Sequence, residues 1–293
     1  MDAAGLALLL ATLRLATPLV IAAMGEFVAE RAGVLNIGIE GMMLAGAFAA
    51  FAAGATTGSV ALGMAASVAA GVALAAIFAA FVLGRAADPI VSGTALNVFA
   101  LGATGTAYRL LFPPDVALPS APQAAEWLPG VNAYLLIALA LVVGVALFLT
   151  RTRAGLSLRA VGERAEAAHA QGVPVLRLRW AATLVGGACA GLAGSALVFW
   201  ISDTFVEAMT SGRGFIALAL VLFGGYRPAR ISAGALLFGA ASALQFRLQA
   251  MGVDIPYNLL LMVPYLLTLV VLAVFAGRVR GPADLARPFT REG

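Results

Sequence analysis

Apolar residues fall in long runs along this chain, separated by short polar connections. Nine runs approach the length of a bilayer-crossing helix: 5–24, 37–53, 59–83, 90–112, 132–150, 180–200, 214–226, 231–249 and 258–277. A helix needs about 20 apolar residues to cross the hydrocarbon, where no backbone polar group can stay unpaired. The pattern predicts an all-α fold, a polytopic membrane helix bundle of about nine spans, with eight to ten admissible. The run 214–226 is short and fits a tilted span, part of a broken helix or a re-entrant piece lined by protein. Residues 1–293 read as a single transmembrane domain, whose longest polar insertion is 151–179. The first run has no basic region before it and no convincing cleavage site, so it reads as a retained span.

Two stretches break the apolar pattern. Residues 25–41 place Glu26, Glu30, Arg31, Asn36 and Glu40 beside or within membrane depth. A charge there costs a few kcal/mol on the gentlest scale (~2.5–3.5 kcal/mol) and persists where it pairs, meets water or lines a pathway. Gly33, Gly38 and Gly41 allow a helix to break, and broken helices in transporters expose backbone near the substrate route. Glu26, Glu30 and Arg31 divide evenly between such a role and a solvated loop. Asn36 and Glu40, set among Ile37, Ile39, Met42, Met43 and Leu44, favour a pathway or helix-packing role. The second stretch is 155–172, whose Arg164–Gln171 portion is helix-forming and bounded by Gly162 and Gly172. It is too polar to insert and too short to be a domain. On physical grounds it is equally a partner-docking helix and a plain interfacial one.

Composition narrows the class. Hydrophobic residues make up 62% and charged residues 11% of the 293, with a mean hydropathy of +1.00. That excludes a soluble enzyme, a disordered protein and a secreted disulfide scaffold. All 18 basic residues are Arg. Without Lys the chain cannot carry the standard nucleotide-phosphate loop, so no nucleotide cofactor is expected on it. The net charge of +4 suggests nucleic acid at first sight, but the Arg residues cluster beside apolar runs, as membrane topology demands. Arg151, Arg153, Arg159, Arg164, Arg177 and Arg179 lie in 151–179; Arg227 and Arg230 occupy a short connection; Arg278, Arg280, Arg287 and Arg291 mark the tail; 113–131 has none. The positive-inside rule puts the Arg-rich regions and the C-terminus in the cytoplasm and 113–131 outside. Nine spans then leave the N-terminus outside.

Cys189, the single cysteine, sits among small residues and reads as a packing position, as does Gly187-x-x-x-Gly191. No His lies in a run and no metal-ligand cluster appears, so neither a serine-type intramembrane enzyme nor a metal site is expected. His169, the one histidine, reads as solvated or docking.

Glu166-Ala167-Ala168-x-x-x-Gly172 resembles the coupling motif of ATP-binding-cassette (ABC) importer permeases. The longer string Arg159-Ala160-Val161-Gly162-Glu163, then Glu166-Ala167-Ala168 and Gly172-Val173, resembles the branched-chain amino acid and simple-sugar permease family. Residues 29–43 are similar to the opening signature of its nucleoside-type members. Ser92-Gly93-Thr94-Ala95-Leu96-Asn97, Gly214–Ala219, Pro264–Leu269 and Arg287-Pro288-Phe289 also fit, so the resemblance covers nearly the whole chain. It implies the shorter, non-catalytic permease of an importer in a bacterial inner membrane. Its partners would be a second, longer permease, a cytoplasmic ATP-binding subunit and an extracytoplasmic binding protein or lipoprotein.

The resemblance also implies a cytoplasmic coupling helix at about 163–172. There Glu163, Arg164 and Glu166 would make polar contacts with the ATPase, Ala167 and Ala168 would allow close approach, and Gly172 would end the helix. Asn36, Glu40, Ser92 and Asn97 are the candidates for the substrate pathway, with Phe48 and Phe99 behind them. A nucleoside is the expected cargo; a simple sugar, riboflavin or another small polar metabolite is the alternative, and a stand-alone secondary transporter or channel ranks lower.

Overall fold

The computed structural model describes residues 3–112, 120–251 and 281–289, together with Met262, Leu266 and Val270. Among the described residues there is no sheet, only a single bridge between Leu128 and Val131. The helices are α1 (Ala3–Arg31), α2 (Ile39–Thr57), α3 (Val60–Val82), α4 (Pro89–Leu111), α5 (Ala133–Arg151), α6 (Arg153–Glu163), α7 (Ala165–Ala170), α8 (Val175–Ala196), α9 (Arg213–Phe223) and α10 (Pro228–Ala250). Seven are long and apolar enough to cross a membrane, α8 being counted with its continuation to Ser202; α9 is a shorter apolar helix. The last expected span, 258–277, lies outside the described residues apart from Met262, Leu266 and Val270, which are helical and exposed.

α8 runs through the middle of the bundle against α1, α2 and α3. Small residues set how closely these helices pass. A Cβ on Gly46 would collide with the Gly191 backbone, one on Gly71 with Gly187 and Gly191, and one on Gly194 with Met43 and Ala47. The Gly187/Gly191 pair is thus spent on packing within the chain. Cys189 is buried where a Cβ on Gly25 would overlap it.

Several boundaries depart from expectation. α1 continues past residue 24 to Arg31, carrying Glu26 and Glu30 inside at 0% and 2% exposure. Neither is a solvated loop residue. The Asn36 amide returns to one oxygen of Glu26 and the Tyr226 hydroxyl to Glu30, so the helix continues through both. The helix expected at about 163–172 is α7, Ala165–Ala170, and the stretch before it, from Arg153, is a separate helix, α6, that includes Glu163. Gly162 lies inside α6, and the chain breaks at Arg164, where φ is −152° and ψ is 91°. The break is held by the Ala165 amide, which donates to Asp284 Oδ2 at 2.7 Å, a partner 119 residues away.

The bundle has an Arg-rich end, carrying α6, α7 and residues 281–289, and a far end. At the far end α8 does not stop but widens into a π-helical turn, Leu197–Ser202. Asp203 N–H reaches back to Val198 O at 2.9 Å, while the carbonyls of Phe199 and Asp203 accept the amides of Ala124 and Ala121, each at 2.7 Å. Trp200 Nε1 donates to Glu126 Oε1 at 2.8 Å, and the Gly130 amide donates to Glu126 Oε2 at 3.1 Å. The Trp200 bond, then the Gly130 bond, hold the Glu126 carboxyl below the ordinary carboxylate range. A depressed folded pKa means that this tie is intact at neutral pH and is lost only as pH falls through the depressed value. In a Trp127→Phe, Trp180→Phe background, Trp200 emission should hold steady down to the ordinary carboxylate range and shift below it. A shift beginning near neutrality would contradict the tie.

Candidate functional site

A break in the chain at membrane depth organises the site. α1 ends at Arg31, residues 32–38 climb back along the bundle, and α2 starts at Ile39. Helix contacts place this start well inside. Arg179 bonds Ala32 O at the Arg-rich end, at 3.1 Å, whereas Gly191 meets Gly46. Twelve residues of α8 separate the two levels, a rise of about 18 Å. Glu40, one to two turns below Gly46, therefore sits near mid-depth.

A second discontinuity meets the first there. After the π turn, residues 203–212 run inward without helix. Phe205 packs against Phe48 and Phe51 at the far end, with ring centroids at 5.4 and 6.3 Å. α9 then starts at Arg213 and delivers Tyr226 to the Arg-rich end, where its carbonyl accepts Arg31 Nη2 at 3.0 Å. So 203–226 runs from the far end to the Arg-rich end as a non-helical half followed by the short helix α9.

Glu40 joins the two discontinuities. Its Oε1 accepts the Gly212 amide at 2.7 Å and its Oε2 the Gly214 amide at 2.6 Å. A carboxylate from α2 thereby satisfies the unpaired first amides of α9 and complements its positive end. Gly214 must lack a side chain, since a Cβ would strike the Glu40 backbone. Asn97 of α4 closes the other side: Oδ1 accepts the Gly41 amide at 2.7 Å and Nδ2 donates to Ile37 O at 2.9 Å. Asn36 is fully buried. Its amide donates to Glu26 Oε1 at 3.0 Å, and its side chain faces Met42 Sδ at 3.3 Å. Asn36 Oδ1 and Glu26 Oε2 have no hydrogen-bond partner among the described residues.

Three of the four sequence-nominated pathway residues, Asn36, Glu40 and Asn97, thus surround one break. Ser92 is not with them. It lines a separate cavity of about 410 Å³ between α3 and α4, with Phe78, Phe81, Leu96 and Phe99. Phe48 packs at the far end in the aromatic group with Phe205. Sequence reasoning missed the exposed ion pair Arg109–Glu207, Nε to Oε1 at 2.8 Å and Nη2 to Oε2 at 3.0 Å, which ties the end of α4 to the inward segment. Only the residues' opposite charges hinted at it, since their spacing carries no signal.

At the Arg-rich end, Glu163 closes α6 and forms an ion pair with Arg31 at 3.8 Å. Arg164, Glu166, Ala167 and His169 are exposed, and Gly172 follows α7 with φ at +79°. Ala168 does not face outward as expected. It packs inside with Val161, Ala165 and Val175, because α7 rests this face on α6 and α8. Among the described residues no group of three metal-ligating side chains comes together.

A multi-pass helical bundle, broken at mid-depth and carrying a short polar helix at its basic end, has the architecture of a membrane permease. The chain belongs to the family described as "Branched-chain amino acid transport system / permease component", whose model matches residues 8–272. It is 38% identical over 264 residues, 86% of this chain and 80% of the relative, to the "Putative glucose ABC transporter permease protein" of Haloferax volcanii. It is 35% identical to the guanosine ABC transporter permease protein NupQ of Bacillus subtilis, over 96% of this chain and 95% of that one. It is 33% identical to the nucleoside ABC transporter permease protein NupC of Lactococcus lactis, over 91% of each. No solved structure matches.

Proposed function

We propose that this chain is the pathway-forming, non-catalytic permease subunit of an ABC importer for nucleosides. The observation that carries the cargo is the likeness to the guanosine and nucleoside permeases, which extends over nine-tenths or more of both chains. The Arg-rich end faces the cytoplasm of a bacterial inner membrane, with about nine spans and the C-terminus on that side. A second, longer permease completes the pathway, an extracytoplasmic binding protein or lipoprotein delivers cargo, and a cytoplasmic ATPase docks on α7. Glu163, Arg164, Glu166 and Ala167 offer the docking contacts, Ala168 anchors the helix from beneath, and Gly172 turns the chain. Closure of the ATPase dimer moves α7; α5 and α8 tilt with it, and the pathway beside Asn36, Glu40 and Asn97 changes the face it opens to. Ser92 serves that pathway from the α3/α4 side.

A hexose is the second reading, favoured by the 38% identity to the Haloferax protein. The two separate in one assay. The assembled importer is placed in liposomes, and ATP hydrolysis is measured with its binding protein plus guanosine, other nucleosides or glucose. Stimulation by nucleosides alone is expected; stimulation by glucose alone would transfer the assignment, and uptake without any ATPase subunit would remove the chain from importers.

The docking helix carries its own expectation. Glu166→Arg reverses an exposed charge, and Gly172→Val forces a β-branched residue into left-handed backbone. Each should cut uptake about tenfold, equivalent to about 1.4 kcal/mol of coupling, with membrane insertion unchanged. Full uptake in both variants would refute the docking role.

A further inference from the structure

Residues 281–289 belong to neither the pathway nor the docking face, yet they bind four elements of the Arg-rich end together. The Asp284 amide donates to Gly162 O, in the last turn of α6, at 2.9 Å, and Asp284 Oδ2 accepts the first amide of α7, from Ala165, at 2.7 Å. The Ala286 amide donates to Gly33 O, just beyond α1, at 3.0 Å. Arg179 of α8, almost wholly buried, donates from Nη1 to Arg287 O at 2.8 Å and from Nε to Ala32 O at 3.1 Å. Phe289 meets the His169 ring edge-on at 5.5 Å. The fit requires Gly33, whose φ is +86° and whose absent Cβ would crowd both Arg179 Nη2 and Asp284 O.

α7 has only six residues. A helix that short has no stability of its own, so its orientation is whatever its attachments impose. Its inner face touches α6 and α8, and Asp284 ties its N-terminus, through the Ala286 and Arg179 bonds, to the end of α1, beside the longer 3.8 Å pair of Glu163 with Arg31. The end of α1 is in turn tied to the half-helix α9, since Arg31 donates to Tyr226 O and lies over the Tyr226 ring at 5.2 Å. A continuous set of hydrogen bonds therefore runs from α7 through residues 284–287 to the terminus of α1 and on to the discontinuous span.

We propose that Asp284 is a positioning residue of the coupling machinery, locking α7 to the end of α1 so that motion imposed on α7 is delivered to α9. The inference rests on the reading of α7 as the docking helix. Without the lock, α7 would move on α6 and α8 while α9 stayed in place, and ATP would be hydrolysed without transport.

The test uses the complete importer in liposomes, measuring basal ATPase rate, its stimulation by nucleoside-loaded binding protein, and uptake. Asp284→Ala removes the acceptor; Asp284→Asn keeps an oxygen for the Ala165 amide and removes the charge, which forms a weak 3.7 Å pair with Arg287 and faces the Arg179 guanidinium. Asp284→Ala should assemble and keep its basal rate while stimulation and uptake fall about tenfold; Asp284→Asn should restore both. Ala167→Trp, on the exposed face of α7, serves as the docking control and should weaken ATPase assembly. If Asp284→Ala couples like the unaltered protein while Ala167→Trp is defective, the positioning role is wrong and the docking reading stands. If Ala167→Trp is normal in every readout, the docking reading falls and this inference with it. Equal defects in both Asp284 variants, or failure of Asp284→Ala to assemble, would mark the residue as structural and overturn the proposal.

Discussion

Replacing Glu40 with alanine is expected to abolish uptake and to lower the thermal stability of the purified permease markedly. Two amides at the start of α9, from Gly212 and the buried Gly214, lose the acceptors they have among the described residues. A buried donor left unsatisfied costs about 1–3 kcal/mol; Gly212 is only half-buried, so the two together are worth about 2–4 kcal/mol, enough to loosen the half-helix from α2. Glu40→Gln is the graded companion. Its amide offers one oxygen where the carboxylate offers two, so one of the two N–H groups stays unpaired and the loss should be intermediate. Melting in detergent, followed by size-exclusion chromatography, together with uptake in liposomes, ranks the three proteins. A Glu40→Ala protein that melts with the original would show that the carboxylate is not what holds α9.

Gly191→Ala is expected to be a severely damaging methyl addition. Its Cβ would fall on the backbone of α3 at Ser67 and Gly71, and on the opposite side Gly46 already meets the Gly191 main chain. Overpacking against a flexible side chain costs about 1–3 kcal/mol; here the neighbour is backbone, which has no rotamer to yield, so the cost lies at or above the top of that range. Gly144→Ala on α5 is the matched control. Nothing lies within 4 Å of its added Cβ, and the better helix propensity of alanine contributes roughly 1 kcal/mol in the favourable direction. The expected outcome is aggregated or absent protein for Gly191→Ala and unchanged or raised stability for Gly144→Ala. Equal behaviour of the two would dismiss close backbone crossing as the basis of the α3–α8 contact.

Of the nine expected spans, the seven that are long apolar helices among the described residues were legible in the chain because hydrocarbon imposes a length and a composition that few other environments do. Helix ends were less so. α1 passes through Glu26 and Glu30 since Asn36 and Tyr226 return to meet them, and no local window contains that return. The division at Arg164 depends on Asp284, far away in sequence, while the glycine beside it, Gly162, lies quietly inside α6 because it lets the Arg31 backbone approach. Polar residues embedded in apolar surroundings led to Asn36, Glu40 and Asn97, which the fold gathers at one break. Glu40 and Asn97 bond backbone groups of Ile37, Gly41, Gly212 and Gly214, and a main-chain group leaves no mark in a sequence. Ser92 looked equivalent but lies five residues before Asn97, about 140° away around α4, and so opens on a different cavity.

The widened turn at Leu197–Ser202 has a consequence for how the polypeptide tolerates changes in length. Such a turn contains one residue more than an ordinary helical turn. The extra residue is absorbed within the turn, so a single-codon deletion among these six would return them to ordinary winding and leave Phe205 near its aromatic neighbours and the Gly212 and Gly214 amides near Glu40. The same deletion in the uniformly wound part of α8 would swivel everything downstream by about 100°.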